Sequence, residues 1–454
     1  MRFPSKMPRI TTLQWLGIIC AVVYIPLWIL IIHASLDVAP FQKRIPISSH
    51  DSVEYVTLAE NILSNQHFSM DAQAPSTPDT FRTPGYPFFL AIVLAVFKSY
   101  FAAIFLQIVM VWLSAVIIYK MGKEIFSSRV GFAAALGFML DPTVIYHTMV
   151  ILSDTAFVFL FLLTIYLLFF KGNPSSGMST ERKHLYRRAL FGGIILGAAV
   201  LVRPVALYLL PVLLFFHWLY IEHIRKASGQ RRWQDLILVC VCLTIGMSVV
   251  VFPWMLRNRI ETGSLGISSI TAYNLYEFNI PGFLEWKGVP NASTVMEAKS
   301  GVSEPGARLL QNSARITKVT EEAVFADPIS YAEYHVLGSI PFITSSGLSV
   351  IDQANAFGFE HALFPGAIPP GLFIAESTIW VVIFLLACLA WLIFRRDWRI
   401  SLFMAVILYF WFVTGPVAYA RYRIPAEPFL LILAVGTASW IFASFKNLRQ
   451  KLKR

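Results

Sequence analysis

Residues 235–256 read DLILVCVCLTIGMSVVVFPWML, and after Asp235 no charged side chain appears until Arg257. A helix needs about 20 apolar residues to cross the hydrocarbon of a bilayer, and this run meets that length. Comparable runs lie near 13–34, 99–119, 130–150, 152–170, 189–201, 204–221, 372–394, 400–416 and 425–445. Together they predict an all-α integral membrane protein with roughly ten transmembrane helices. The run 87–97 is too short to cross alone, so it lies at the interface or extends the second span. Composition agrees. Hydrophobic types make up 57% of the 454 residues and charged types only 14%, against about 25% charged in soluble domains. Disorder is excluded for the same reason, because it needs low hydrophobicity and high charge. Cys20, Cys240, Cys242 and Cys388 all lie in apolar runs without metal-site spacing, and they read as packing residues.

The net charge of +11 would suggest nucleic acid in a soluble chain, but here its distribution matters more. With the N-terminus placed in the cytoplasm, the inner segments are 1–12, 120–129, 171–188, 222–235, 395–399 and 446–454. These hold 23 of the 37 basic residues but only 5 of the 26 acidic ones. Basic residues collect on the cytoplasmic side of membrane proteins, so both termini are assigned inward and nucleic acid is not a partner. The first run, preceded by Arg2, Lys6 and Arg9, reads as an uncleaved signal anchor. The chain then divides into a membrane module, 1–256, with a long outer loop at about 35–86; a second outer segment, 257–371; and C-terminal membrane helices, 372–454. Loops held by a rigid scaffold commonly carry sites, which directs the search outward. The stretch 172–180 is an ordinary inner linker.

The first outer loop reads SSHDSVEYVTLAENILSNQHFSMDAQAPSTPDTFRTPGYPFFLAIV over 48–93. Val53, Val56, Leu58, Ala59, Ile62 and Leu63 recur at helical spacing, predicting an amphipathic juxtamembrane helix with its apolar face on the bilayer. Asp51 stands at its start and Glu54 one turn later. The plain reading of Asp51 is a helix cap, favoured by the helix dipole. Arg82 precedes Pro84, Gly85, Tyr86 and Pro87 as the chain re-enters the membrane; its plain reading is a lipid-headgroup contact. Arg203 interrupts an apolar stretch from 189 to 220, where an ionisable group is costly and commonly functional; a snorkelling arginine in a tight hairpin is the alternative. Arg421 and Arg423 sit on the side that disfavours cations, just before Pro425. An anionic phosphate would compensate them, as would pairing with Glu427. Arg257 and Arg259 read more plainly as cations at a helix C-terminus.

The second outer segment says less. Residues 307–325 have helical periodicity ending at Asp327–Pro328. Tyr331, Tyr334, Phe342 and Phe357 suit interface anchors better than sugar-stacking platforms. His335 and His361 lack metal-ligand spacing.

Several of these stretches resemble a known family. Asp51–x–x–Glu54–Tyr55, Leu58–Ala59–x–Asn61–Ile62 and Arg82–x–Pro84–Gly85–Tyr86–Pro87 are similar to the first extracytoplasmic loop of the polytopic GT-C glycosyltransferases. More narrowly, they are similar to the bacterial group that contains lipid A aminoarabinose transferase, rhizobial lipopolysaccharide glycosyltransferases and relatives of protein O-mannosyltransferases. The resemblance continues at Tyr146–Phe161, Arg203–Pro204, Asp327–Pro328 and Arg421–Tyr422–Arg423–x–Pro425.

It implies transfer of a sugar from a polyprenyl-phosphate carrier to a lipid, glycan or protein acceptor on the outer face of a bacterial inner membrane, with membrane lipids as the other partner. It also implies that Asp51 is the catalytic base and that Asp154 is a second acidic site residue. The family often has an acid immediately after the first, where this chain has Ser52; His50 and Glu54 flank Asp51 instead, which makes Glu54 a candidate catalytic residue and leaves open whether a second acidic group assists. A carboxylate in hydrogen-bond reach of an acceptor hydroxyl takes its proton in the transition state. Arginine suits the leaving phosphate through paired N–H donors, which nominates Arg203, Arg421, Arg423 and Arg82. The donor is already activated, so neither a cofactor nor an essential metal is expected. A transporter of lipid-linked saccharides is the main alternative. Such proteins place charged, broken helices near the midplane in paired repeats, whereas here the spans are nearly charge-free and the acids cluster outside. A polymer ligase would share the outward site.

Overall fold

The computed structural model describes residues 11–36, 49–71, 76–170, 178–228, 233–350 and 368–452. Arg2, Lys6, Arg9, most of the 172–180 linker, Phe357 and His361 lie outside them. The described chain is all-α, and its only extended pairing is an isolated bridge between Ser69 and Pro78. In order, the helices are α1 (Thr12–Leu36), α2 (His50–Asn65), α3 (Gly85–Phe97), α4 (Tyr100–Ile125), α5 (Ser128–Leu140), α6 (Pro142–Met149), α7 (Asp154–Phe169), α8 (Met178–Val202), α9 (Leu210–Ser228) and α10 (Trp233–Thr262). Seven short helices follow: α11 (Ile270–Asn274), α12 (Ile280–Trp286), α13 (Ala292–Ser300), α14 (Glu304–Ala307), α15 (Ser313–Ala326), α16 (Pro328–Gly338) and α17 (Pro341–Thr344). The chain ends with α18 (Pro370–Phe394), α19 (Trp398–Thr414), α20 (Ala420–Arg423) and α21 (Glu427–Leu452).

Among the described residues, eight helices are long and apolar enough to cross a membrane. The run expected near 130–150 is instead a pair, α5 and α6, bent by 55°. Asp141 makes the break. Its Oδ1 accepts from the amides of Thr143 (2.8 Å) and Val144 (3.1 Å), capping a new helix whose first residue is Pro142. The fourth expected span, 152–170, is α7, which has only 16 residues. The run 87–97 does not extend the second span. Lys98 takes the left-handed conformation (φ 52°) and closes α3, and Ser99 caps α4.

Helix α2 forms where expected, but protein covers part of its apolar face, while Val53 and Leu63 stay exposed. Tyr55, Val56, Leu58 and Ala59 are buried in the main core, and the Tyr55 ring meets Tyr86 of α3 edge-on at 4.9 Å. That core includes residues of both the N-terminal and the C-terminal membrane helices. A second, smaller core joins Tyr273, Tyr276, Ile280, Met296 and Ile316 of the 257–350 region to Phe81 of the first long loop.

Candidate active site

The loop after α2 is built to present Arg82. Asp79 Oδ1 accepts from the amides of Phe81 (3.1 Å) and Arg82 (2.9 Å), closing a tight turn. Arg257 donates to the Asp79 and Phe68 carbonyls, tying the same turn to the end of α10. Gly85 then lets α3 start against the backbone at Leu201. A Cβ there would lie 2.6 Å from the Leu201 carbonyl carbon, so only glycine fits without displacement.

Arg82 is buried and bridges two acids of α2. Its Nη2 donates to Asp51 at 2.6 Å and its Nε to Glu54 at 2.5 Å. It is not a headgroup contact. Asp51 does not cap α2 either, because its second oxygen pairs with Arg421 Nη2 at 3.0 Å. Arg421 in turn donates to Asp154 (Nη2–Oδ2 3.1 Å), and Asp154 pairs with Arg203 at 2.8 Å. At the other end of the row, Glu54 pairs with Arg308. The sequence runs Arg308, Glu54, Arg82, Asp51, Arg421, Asp154, Arg203, alternating in sign, with four cations against three anions.

Local structure explains each position. Asp154 opens α7, where its charge meets the positive end of the helix dipole. Arg203 is extended because it precedes Pro204. Its Nε donates to Ser153 Oγ at 3.1 Å, and Tyr55 Oη lies 3.1 Å from the same hydroxyl. Aromatic rings support the cations. Arg82 and Arg308 both lie over Phe81, at 4.9 and 4.0 Å.

Burial differentiates the carboxylates. The side chains of Asp154 and Glu54 are 2% and 3% exposed, while that of Asp51 is 27% exposed. Burial raises the proton affinity of Asp51, but Arg421 and Arg82 outweigh it and hold the carboxyl below its ordinary range. Asp51 is thus ionised and the most accessible acid of the row. Among the described residues no group of three or more His, Cys, Asp or Glu side chains is placed to hold a metal ion.

Of the seven residues nominated from sequence, the structure brings together Asp51, Glu54, Asp154, Arg82, Arg203 and Arg421. Arg423 is not among them. It is 1% exposed, its Nη1 donates to the carbonyls of Phe342 (3.1 Å) and Ser345 (3.0 Å), and it lies 4.0 Å over Trp380. Its carboxylate partner is Glu427, at 3.4 Å. This arginine holds the loop after α17 against α18 and α21, and protein already surrounds the guanidinium where a carrier phosphate was expected. Phe342, suggested as an interface anchor, is fully buried. Arg259 is bonded to the Gly263 carbonyl at the end of α10. Arg308 went unnoticed in the sequence, since nothing around it distinguishes it from other loop arginines.

Residues 81–254 match the model of the dolichyl-phosphate-mannose-protein mannosyltransferase family. The match takes in Arg82, Asp154 and Arg203 and leaves Asp51, Glu54, Arg308 and Arg421 outside. It agrees with the resemblance to GT-C membrane glycosyltransferases drawn from the sequence. No curated protein matches the chain. Among solved structures, the oligosaccharyltransferase AglB of Archaeoglobus fulgidus, in complex with an inhibitory peptide and a dolichol-phosphate, is 12% identical with a TM-score of 0.46, covering 94% of this chain and 51% of its own. ArnT from Cupriavidus metallidurans, bound to undecaprenyl phosphate, is 13% identical with a TM-score of 0.41, covering 93% of this chain and 76% of its own. The arabinosyltransferase EmbB of Mycobacterium smegmatis is 13% identical with a TM-score of 0.39, covering 97% and 42%. The chain therefore spans about half the length of the archaeal enzyme.

Proposed function

We propose that this protein is a membrane glycosyltransferase that moves a sugar from a polyprenyl-phosphate carrier to a hydroxyl acceptor at the end of the bundle where the ionic row lies. The acceptor is a lipid, a cell-envelope glycan such as lipopolysaccharide, or a protein, and the face is the outer one. Asp51 takes the proton of the acceptor hydroxyl as that oxygen bonds to the anomeric carbon. The bond from this carbon to the carrier phosphate breaks, and the configuration inverts. Charge that accumulates on the departing phosphate falls to Arg421, with Arg203 and Arg82 beside it. Asp154 orients Arg421 and Arg203, and Glu54 does the same for Arg82 from its other side.

The observation that carries this reading is the double engagement of Arg421, which touches both Asp51 and Asp154. One guanidinium thereby sets the proton acceptor beside the place where a phosphate would be held. The match of 81–254 to a family described by its use of a phosphate-linked sugar supports the same class of reaction.

The test is turnover in vesicles containing purified protein, labelled polyprenyl-phosphate hexoses and pentoses, and envelope extract as acceptor. Release of polyprenyl phosphate with labelled acceptor is expected for one donor. Arg421→Gln should lower kcat/KM by about 10²–10³. Movement of the intact lipid-linked sugar across the vesicle, with its glycosidic bond unbroken, would replace this reading with a transporter.

A further inference from the structure

The short helix α16 carries a feature unconnected with the ionic row. Ile329, Ala332 and Val336 follow one another at steps of three or four residues and form one stripe along α16, flanked by Phe325 at the end of α15 and Ile340 just past α16. All five are exposed, Phe325 at 76% and Ile329 at 80%. The opposite face of α16 is the occupied one. Tyr331 donates to Asn279 Oδ1 at 3.0 Å and packs on Phe283, and Tyr334 packs on Trp286. The tyrosines that the sequence suggested as interface anchors therefore turn inward, and an aliphatic row turns out.

The level of this stripe is fixed by its neighbour. Helix α16 rests on the end of α19, one of the membrane-crossing helices. His335 Nε2 donates to the Phe412 carbonyl at 2.8 Å, Trp411 Nε1 donates to the Ser339 carbonyl at 3.1 Å, and Gly338 abuts Pro416. On α19 itself Leu408, Phe412 and Val413 are exposed, as lipid-facing residues of a span are. The α16 stripe continues this surface at the point where the span ends. A charged residue, Glu333, stands among the exposed side chains, which suits headgroup depth rather than hydrocarbon.

From this continuity we infer that the α16 stripe is a membrane-contact surface, seated in the interfacial layer of the bilayer next to the end of α19. Its occupant is lipid. The stripe would fix the 257–350 region, which supplies Arg308, at a constant height over the bundle. The inference does not depend on sugar transfer.

Spin labels at Ile329→Cys and Val336→Cys, in protein lacking the four native cysteines and reconstituted in phosphatidylcholine–phosphatidylglycerol vesicles, test it directly. A label at Glu322→Cys on α15 is the aqueous reference. The two stripe labels should collide with oxygen several-fold more, and with a water-soluble nickel chelate several-fold less, than the reference. Nickel accessibility equal to the reference would place the stripe in water and overturn the inference. So would dipolar broadening between labels of different molecules, which would show a second copy on the stripe, or exclusion of both relaxants, which would show a covered protein face.

Discussion

Asp51 is held by two guanidinium groups, from Arg82 and Arg421, and its accessibility makes it the proton acceptor of the proposed reaction. Its carboxyl lies below the ordinary range because these cations outweigh burial. A base must be deprotonated, and Asp51 stays so until the pH falls through its lowered value. The profile of kcat/KM, which reports the free enzyme, should be flat from neutral pH down past the usual carboxylate value of about 4, with its acid limb below that. An acid limb between pH 5 and 7 that disappears in Asp51→Asn would show that Arg421 and Arg82 do not hold the carboxyl down, and one that persists in Asp51→Asn would belong to another group. At this scale the sequence was readable where a charge stood in apolar surroundings. Arg203 was conspicuous for that reason, Arg421 because it is a cation on the outer side, and Asp154 only through the family resemblance; the structure places the three in contact. Arg423 was equally conspicuous but is consumed by Glu427 and by backbone carbonyls of a loop some 80 residues away in sequence. Tertiary pairing of that kind leaves no local trace, and neither does the role of Arg308.

Helices α8 and α10 cross closely because glycines remove the side chains between them. A Cβ on Gly193 would lie 2.2 Å from the Leu243 carbonyl oxygen, and one on Gly246 would lie 2.3 Å from that of Leu190. Gly193 and Gly197 on α8 form the small-residue spacing that lets membrane helices approach. Gly246→Val should therefore force the helices apart and destabilise the protein by about 1–3 kcal/mol, read as a lower thermal midpoint in detergent, while transfer per folded molecule changes little. An unchanged midpoint would mean that the crossing is looser than described. Hydropathy located these two helices but could not measure how near they come. It also could not separate α5 from α6, since Asp141 and Pro142 interrupt an otherwise apolar run whose average scarcely changes. The amphipathic pattern of α2 was readable, but not what covers it. Lipid and a neighbouring helix both accept an apolar face.

The charge bias along the chain divides its segments into two groups, and each group meets at its own end of the bundle. Five separate segments assigned outward contribute to the ionic row through Asp51 and Arg82, Asp154, Arg203, Arg308 and Arg421. Those assigned inward also touch one another. Arg399 pairs with Glu124 at 3.3 Å, and Tyr186 donates to Asp235 at 2.5 Å. Basic residues on the cytoplasmic side then predict which end faces out. In intact cells an impermeant thiol reagent should label Asn291→Cys, near the row end, and fail to label Lys123→Cys until the membrane is opened. The reverse pattern would turn the molecule over and place transfer in the cytoplasm.

In the proposed reaction Asp51 is the group that receives the acceptor's proton. Its most direct test is single-turnover transfer by Asp51→Asn, in vesicles where the variant is inserted and retains the wild-type thermal midpoint. Loss of the chemical step by about 10²–10⁴, with binding of the polyprenyl-phosphate sugar retained, is the predicted result. Transfer at the wild-type rate would contradict it.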